Sequence, residues 1–170
     1  MKNRGFTIIE LMIVVAITGI VLGAGAPTFT DMITSNTIDS NRDALFTDLR
    51  YARTEAVKRG ETVSICKSTN LASCNNSAEW ANGWIMFEDG NGNGKLDSGD
   101  TLLRVHENLG DGISLAFTQD NGSKINFVTY DGLGKTISAI GTYSFSHSSG
   151  DTNFNRAITF STTGRVRKSS

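Results

Sequence analysis

The residues that could do chemistry in this 170-residue chain fall into a few groups. Asp89, Asn91, Asn93, Asp97 and Asp100 put oxygen side chains at places 1, 3, 5, 9 and 12 of a loop with Gly94 at place 6. Those are the offsets at which an EF-hand loop wraps a calcium ion, with the Lys95 carbonyl as a further ligand. Asp100 is shorter than the glutamate that usually chelates with both oxygens, and strands rather than helices are expected on both flanks. Asn-Gly and Asp-Gly steps also turn the chain without any ion. A plain connecting turn is therefore the leading expectation, calcium the secondary one, and no other cofactor is expected. A second group is basic: no acidic residue follows Asp151, while Arg156, Arg165, Arg167 and Lys168 do. In an extended segment Arg165 and Arg167 share one side, and two guanidiniums on one side suit phosphates along a nucleic-acid backbone. An edge strand guarded by charge against aggregation is the plainer alternative.

Cys66 and Cys74 have neither CxxC spacing nor a histidine at ligand distance in sequence, so neither a redox motif nor a zinc ribbon is indicated. In an exported domain they would join as a disulfide, worth about 2–3 kcal/mol in the chain-entropy description. His106 and His147 lack a recognisable nucleophile setting, and no Gly-rich phosphate loop opens a helix, so no catalytic residues are assigned and an enzyme is not expected. With 16 basic and 17 acidic residues the chain has no global field to announce nucleic-acid binding; any such site is local. The 18 Gly and single Pro favour short strands and tight turns over a helical bundle.

One more reactive group stands alone. Glu10 lies near the start of the apolar run Phe6–Ala26, which is long enough to cross a bilayer as a helix behind the basic segment Met1–Gly5. Ala24 and Ala26 also resemble the cleavage site of a secretory signal. Two features oppose that alternative: a carboxylate inside lipid is expensive and functional by default, and the helical pattern resumes after Pro27. Phe29, Ile33, Leu45, Leu49, Ala52 and Ala56 supply an apolar face, and Arg59-Gly60 a stop. Gly19, Gly23, Gly25 and Pro27 punctuate the helix and mark Gly19–Pro27 as a stretch able to kink or unwind.

The short basic leader ending in Gly5, followed by Phe6-Thr7-Ile8-Ile9-Glu10-Leu11, resembles the signature of type IV pilins and type II secretion pseudopilins. The resemblance implies cleavage between Gly5 and Phe6 by a prepilin peptidase and methylation of Phe6. It also implies that Glu10 pairs with a neighbouring subunit's N-terminal amine, two charges tolerable in lipid as a pair. The expected organisation is a leader over 1–5, a transmembrane and filament-core half-helix over 6–27, an amphipathic half-helix over 28–60 and a β-rich head over 61–170. The implied location is the bacterial inner membrane, single-pass with the head in the periplasm, then the pilus or pseudopilus. The partners are inner-membrane lipid, other pilins or pseudopilins, and double-stranded DNA.

Strands are expected at Thr62–Cys66, Gly83–Phe87, Leu102–His106, Ile113–Phe117, Ile125–Tyr130, Thr142–Ser146 and Ala157–Ser161, each bounded by Gly, Asn, Asp or Ser. The fold class is α+β, a long N-terminal helix packed on an antiparallel sheet covered on one face. Ile125–Phe127 with the turn at Asp131-Gly132 echoes Ile158–Phe160 with the turn at Gly164; each turn is followed by a basic residue, Lys135 or Arg165. Leu49–Arg59, Gly83–Arg104 and Ile158–Arg165 resemble the heads of the GspH/FimT/FimU minor pilins. Gly164-Arg165-Val166-Arg167 is similar to the G-R-x-R motif of the FimT branch, which binds DNA in natural transformation. That resemblance implies non-specific DNA binding by Arg165 and Arg167, assisted by Lys168 and Arg156. A FimU- or GspH-type structural subunit without DNA binding is the alternative.

Overall fold

The computed structural model describes residues 5–138 and 140–169; within the first helix the side chains of residues 22 and 24–28 are not described. That helix, α1, runs unbroken from Ile8 to Arg59, including the stretch from Gly19 to Pro27. A capping box starts it. The Thr7 backbone N–H and Oγ1 donate to Glu10 Oε2 at 2.8 and 3.0 Å, and the Glu10 N–H donates back to Thr7 Oγ1 at 3.3 Å. Gly60, at φ +71°, ends it with its N–H on the Ala56 carbonyl, after Lys58 and Arg59 have placed positive charge at the negative end of the helix dipole.

The chain divides into two units, residues 1–37 and 38–170. In the first, the apolar side chains from Phe6 to Val21 are exposed. Among the described residues no helix is long and apolar enough to cross a membrane; the apolar run read from the sequence continues into residues 22 and 24–26. In the second unit, Ile38, Leu45, Leu49, Ala52 and Ala56 are fully buried. Phe29 and Ile33, read as part of the apolar face, are 65% and 52% exposed.

Among the described residues, eight strands form two antiparallel sheets. The first has the order β3–β2–β1–β5, from β1 (Val63–Lys67), β2 (Trp84–Glu88), β3 (Leu102–His106) and β5 (Phe127–Tyr130). The second has the order β4–β6–β7–β8, from β4 (Ile113–Gln119), β6 (Gly141–His147), β7 (Arg156–Phe160) and β8 (Val166–Ser169). One core joins α1 to both: Leu45 and Leu49 belong to the same buried cluster as Ile65, Trp84, Tyr143 and Ile158. Trp84 Nε1–H donates to the buried Asp48 of α1 at 2.9 Å, and Arg104 of β3 donates to the other carboxylate oxygen at 2.7 Å. This buried charge is thus paired, as burial demands.

The second sheet follows the rule of one covered face: β4 and β6 alternate buried and exposed positions. The first does not. β1 is buried throughout and β2 nearly so, because a second small core lies on its outer side. There Cys66, Ile85 and Phe87 pack with Leu71, Cys74 and Leu96, residues carried by the loops over 68–79 and 89–100. The Cys66–Cys74 disulfide is present, with Cα atoms 5.6 Å apart, and pins the first of these loops over the sheet.

Candidate functional site

The basic tail is a strand. β8 pairs with β7 in the register Phe160↔Val166 and Thr159↔Arg167, and buried Val166 anchors it to the core. The connecting turn is closed by two hydrogen bonds, Gly164 N–H to Ser161 O at 2.9 Å and Ser161 N–H to Arg165 O at 3.0 Å. Gly164 sits at φ +74°, the left-handed position that completes a three-residue hairpin loop with a bulge. A Cβ here would lie 2.0 Å from the Gly134 carbonyl oxygen, so glycine is required by both backbone angle and space. The echo read in the sequence is a real repeat of geometry. Gly134 N–H bonds Asp131 O at 2.8 Å, Asp131 N–H bonds Lys135 O at 2.9 Å, and Gly134 has φ +75°. The two matching turns lie against each other, and Arg53 of α1 clamps them, its Nε donating to Gly134 O at 2.8 Å and one Nη to Thr163 O at 3.1 Å.

This arrangement sorts the four basic residues read from the sequence. Arg165 and Arg167 are exposed and line one shallow cavity of about 240 Å³ beside Thr159 and Ser161. Neither has an ion-pair or hydrogen-bond partner for its side chain among the described residues. Arg156 is turned the other way: it grips Asp39 with two nitrogens, at 2.9 and 3.3 Å, and donates to the carbonyls of Asn153 and Asn155. Lys168 lies 2.7 Å from Asp43 and over the Phe46 ring. Its hydrogen bond, aided by Arg42 and opposed by partial burial, holds the Asp43 carboxyl below the usual carboxylate range. Arg156 and Lys168 thus spend their charge on carboxylates of α1, while Arg165 and Arg167 make no ion pair among the described residues.

The remaining sequence-read sites lie apart from this one. Gly5 and Phe6 precede α1 and are exposed, so the expected cleavage bond is open to a peptidase. Glu10 caps its own helix, a role the Thr-x-x-Glu spacing signals and the family reading passed over. In the calcium-like loop Asp89 is fully buried and points inward. Ser64 Oγ–H and Gly94 N–H donate to its Oδ2 at 2.6 and 2.8 Å, and Asn93 N–H to its Oδ1 at 3.1 Å. Asn91 and Asn93 amides both donate to Asp97 Oδ2, and Asp97 N–H to Asp100 Oδ2. Asp97 is held below the usual range chiefly by the Asn93 and then the Asn91 hydrogen bond. The loop's oxygens thus close the loop on itself, and among the described residues no group of three or more His, Cys, Asp or Glu is placed to hold a metal. His106 stacks on Trp84 at 4.0 Å and His147 meets Phe154 edge-on.

Residues 1–26 match the prokaryotic N-terminal methylation motif. Residues 41–164 match the family described as type II transport protein GspH. The chain belongs to the GspH family. The match covers the second half of α1 and nearly the whole head, and stops at Gly164, one residue before the unpaired arginines. The pilin-like protein PilA1 of Thermus thermophilus is 31% identical over 108 residues, 62% of this chain and 61% of that protein. The chain therefore spans less than two thirds of that relative's length. The type IV minor pilin FimU of Pseudomonas aeruginosa has a similar fold, with TM-score 0.59 and 22% identity over 84% of this chain and 92% of that one. So does the minor pseudopilin EpsH of the Vibrio cholerae type 2 secretion system, with TM-score 0.54 and 12% identity over 78% and 95%. Both have the helix-on-sheet architecture found here, and the GspH family is one of minor pilins and pseudopilins.

Proposed function

We propose that this GspH-family protein is a minor pilin that waits in the inner membrane on the apolar half of α1 and then presents its head to DNA. A prepilin peptidase removes residues 1–5 and Phe6 is methylated. In lipid the Glu10 carboxylate is tolerable while the Thr7 capping box holds it, and on assembly it meets the amine of a neighbouring subunit's residue 6. The head then offers Arg165 and Arg167 to phosphates of extracellular DNA, in the manner of the FimT branch. Nothing at the site reads base edges, so binding is independent of sequence.

The observation that supports this reading most is the segregation of charge on β7–β8: two cations spent on α1 carboxylates, and two beyond a glycine-dependent turn with no ion pair among the described residues. A structural subunit of a pilus or secretion pseudopilus, without DNA contact, is the second reading. It is favoured by the fold shared with FimU and EpsH and by a family match that ends before Arg165. Binding of duplex DNA by the protein and by its Arg165→Gln/Arg167→Gln variant, across a salt series, separates the two. Tail contacts to two phosphates contribute about −2 to the slope of log affinity against log salt, and the double variant loses binding while keeping the fold. Equal binding by the variant would transfer the assignment to the structural reading.

A further inference from the structure

Four arginines of the head have carboxylate partners: Arg42 with Asp39 and Asp43, Arg59 with Glu55 and Glu88, Arg104 with Asp48, and Arg156 with Asp39. Arg50, Arg53, Arg165 and Arg167 have none among the described residues. The first three of these converge on one cavity of about 400 Å³ between α1 and the β7–β8 turn, where Phe46 and Thr54 complete the helix side. No acidic side chain lines it. Arg53 spends Nε and one Nη on the carbonyls of Gly134 and Thr163, which fixes its guanidinium in the wall without neutralising it. Arg50 lies over the Phe46 ring at 5.6 Å. Three like charges facing one space repel each other unless water or an anion fills it. Among the described residues, every arginine outside this cavity except Arg167 is answered by a carboxylate; here the counter-charge is left out.

We infer that this cavity seats one phosphate of a polynucleotide backbone, with Arg50 as its direct ligand and Arg53 as the positioning residue that fixes both turns, while Arg165 at its rim takes the next phosphate along. The inference rests on the DNA-binding reading and extends its footprint from the tail onto α1. Guanidinium forks match phosphate oxygens in geometry as well as charge. Arg165 also lines the neighbouring cavity with Arg167, so the cations run in a row from helix to turn to strand. At a rise of about 3.3 Å per residue, Arg165 and Arg167 stand roughly 6–7 Å apart along the chain. Such a row fits successive groups of a polyanion better than one small ion.

The test uses the full chain in an uncharged detergent, with a short fluorescent DNA duplex titrated over a range of salt. With Arg50 engaged the slope of log affinity against log salt is about −3, and Arg50→Gln brings it to about −2 for every duplex sequence. Arg50→Lys, which keeps the charge, restores the steeper slope. Thermal unfolding of both variants stays at the wild-type value, since the Arg50 side chain is exposed. If Arg50→Gln keeps the wild-type slope while Arg165→Gln/Arg167→Gln loses binding, the cavity inference is overturned and the DNA reading survives. If the wild type fails to bind the duplex, the DNA reading itself falls and takes the inference with it. If polyglutamate binds as tightly as DNA and loses affinity equally on Arg50→Gln, the cavity belongs to an acidic protein partner and the phosphate assignment is overturned.

Discussion

The two halves of α1 carry comparable apolar side chains and meet opposite fates. From Ile38 onward, Leu45, Leu49, Ala52 and Ala56 are sealed against two sheets. From Ile8 to Val21, every large apolar side chain named along the helix is more than half exposed. Exposed apolar area costs about 25 cal/mol per Å² in water, and a soluble monomer rarely tolerates a contiguous patch of this extent. The head therefore meets its own hydrophobic demand, whereas the first half-helix leaves its own unmet; lipid and the helices of neighbouring subunits are the partners proposed for it. The same division recurs among the cations: Arg156 and Lys168 are answered inside the fold, Arg50, Arg165 and Arg167 are not. Where this chain leaves a group unanswered, assembly or binding is the expected answer.

The contrast between the halves is most directly broken by paired truncations. Leu49→Ala removes a fully buried side chain and should destabilise the head by about 2–5 kcal/mol. Ile13→Ala removes a similar side chain from the exposed half and should leave head stability within about 0.5 kcal/mol. Urea unfolding followed by the fluorescence of buried Trp80 and Trp84 reads both. Equal losses in the two variants would overturn the division between the halves.

The second core on the outer face of the first sheet gives the next largest effect. Replacing Cys66 and Cys74 together by alanine should cost about 2–3 kcal/mol. It should also raise amide hydrogen-exchange rates through residues 68–79, the loop the bridge holds down, while residues 8–21 exchange as before. An unchanged unfolding midpoint would show that the loop keeps its place without the covalent link.

Much of the architecture was legible in the sequence, and its misses share a cause. β3 was placed to the residue, and six other strands to within one or two, because β-branched and aromatic runs between Gly and Asn clusters are local signals. β8 was left off the list of expected strands and met only as the charge-guarded edge-strand alternative for the basic tail, which is its place in the sheet. Val166 is its only apolar residue, and what makes it a strand is the Phe160↔Val166 register with β7. The covered outer face of β1 and β2 was missed because the loops that cover it show no periodicity. Phe29 and Ile33 were read into the apolar face of α1 and are exposed, since an apolar residue at helical spacing does not reveal whether anything lies against it. At the site, Arg165 and Arg167 were visible as an i, i+2 pair. Arg50 and Arg53 were not recognised as their companions, although with Phe46 they fall on one side of the helix at i, i+4 and i+7. Arg53 reaches the tail across 110 residues of chain, and no local pattern records such a contact.

The smallest effect tests whether a cation answered inside the fold is indeed withdrawn from ligands. The Lys168 ammonium sits on Asp43 and Phe46, but its partner's side chain is 52% exposed, so solvent screens the pair. Exposed pairs of this kind contribute at most about 1 kcal/mol, and Lys168→Gln should change head stability by no more than that. Its charge is already balanced by Asp43, so its loss should leave the salt slope of DNA binding unchanged. Arg165→Gln, by contrast, should flatten that slope by about one. Asp43→Asn supplies the converse: with the carboxylate neutral, the Lys168 ammonium is free to release a counterion of its own, and the slope should steepen by up to about one. Lys168→Gln flattening the slope as much as Arg165→Gln would show that the ion pair opens in the presence of DNA. The tail would then act as one basic strip, and the division between answered and unanswered cations would lose its meaning at β8.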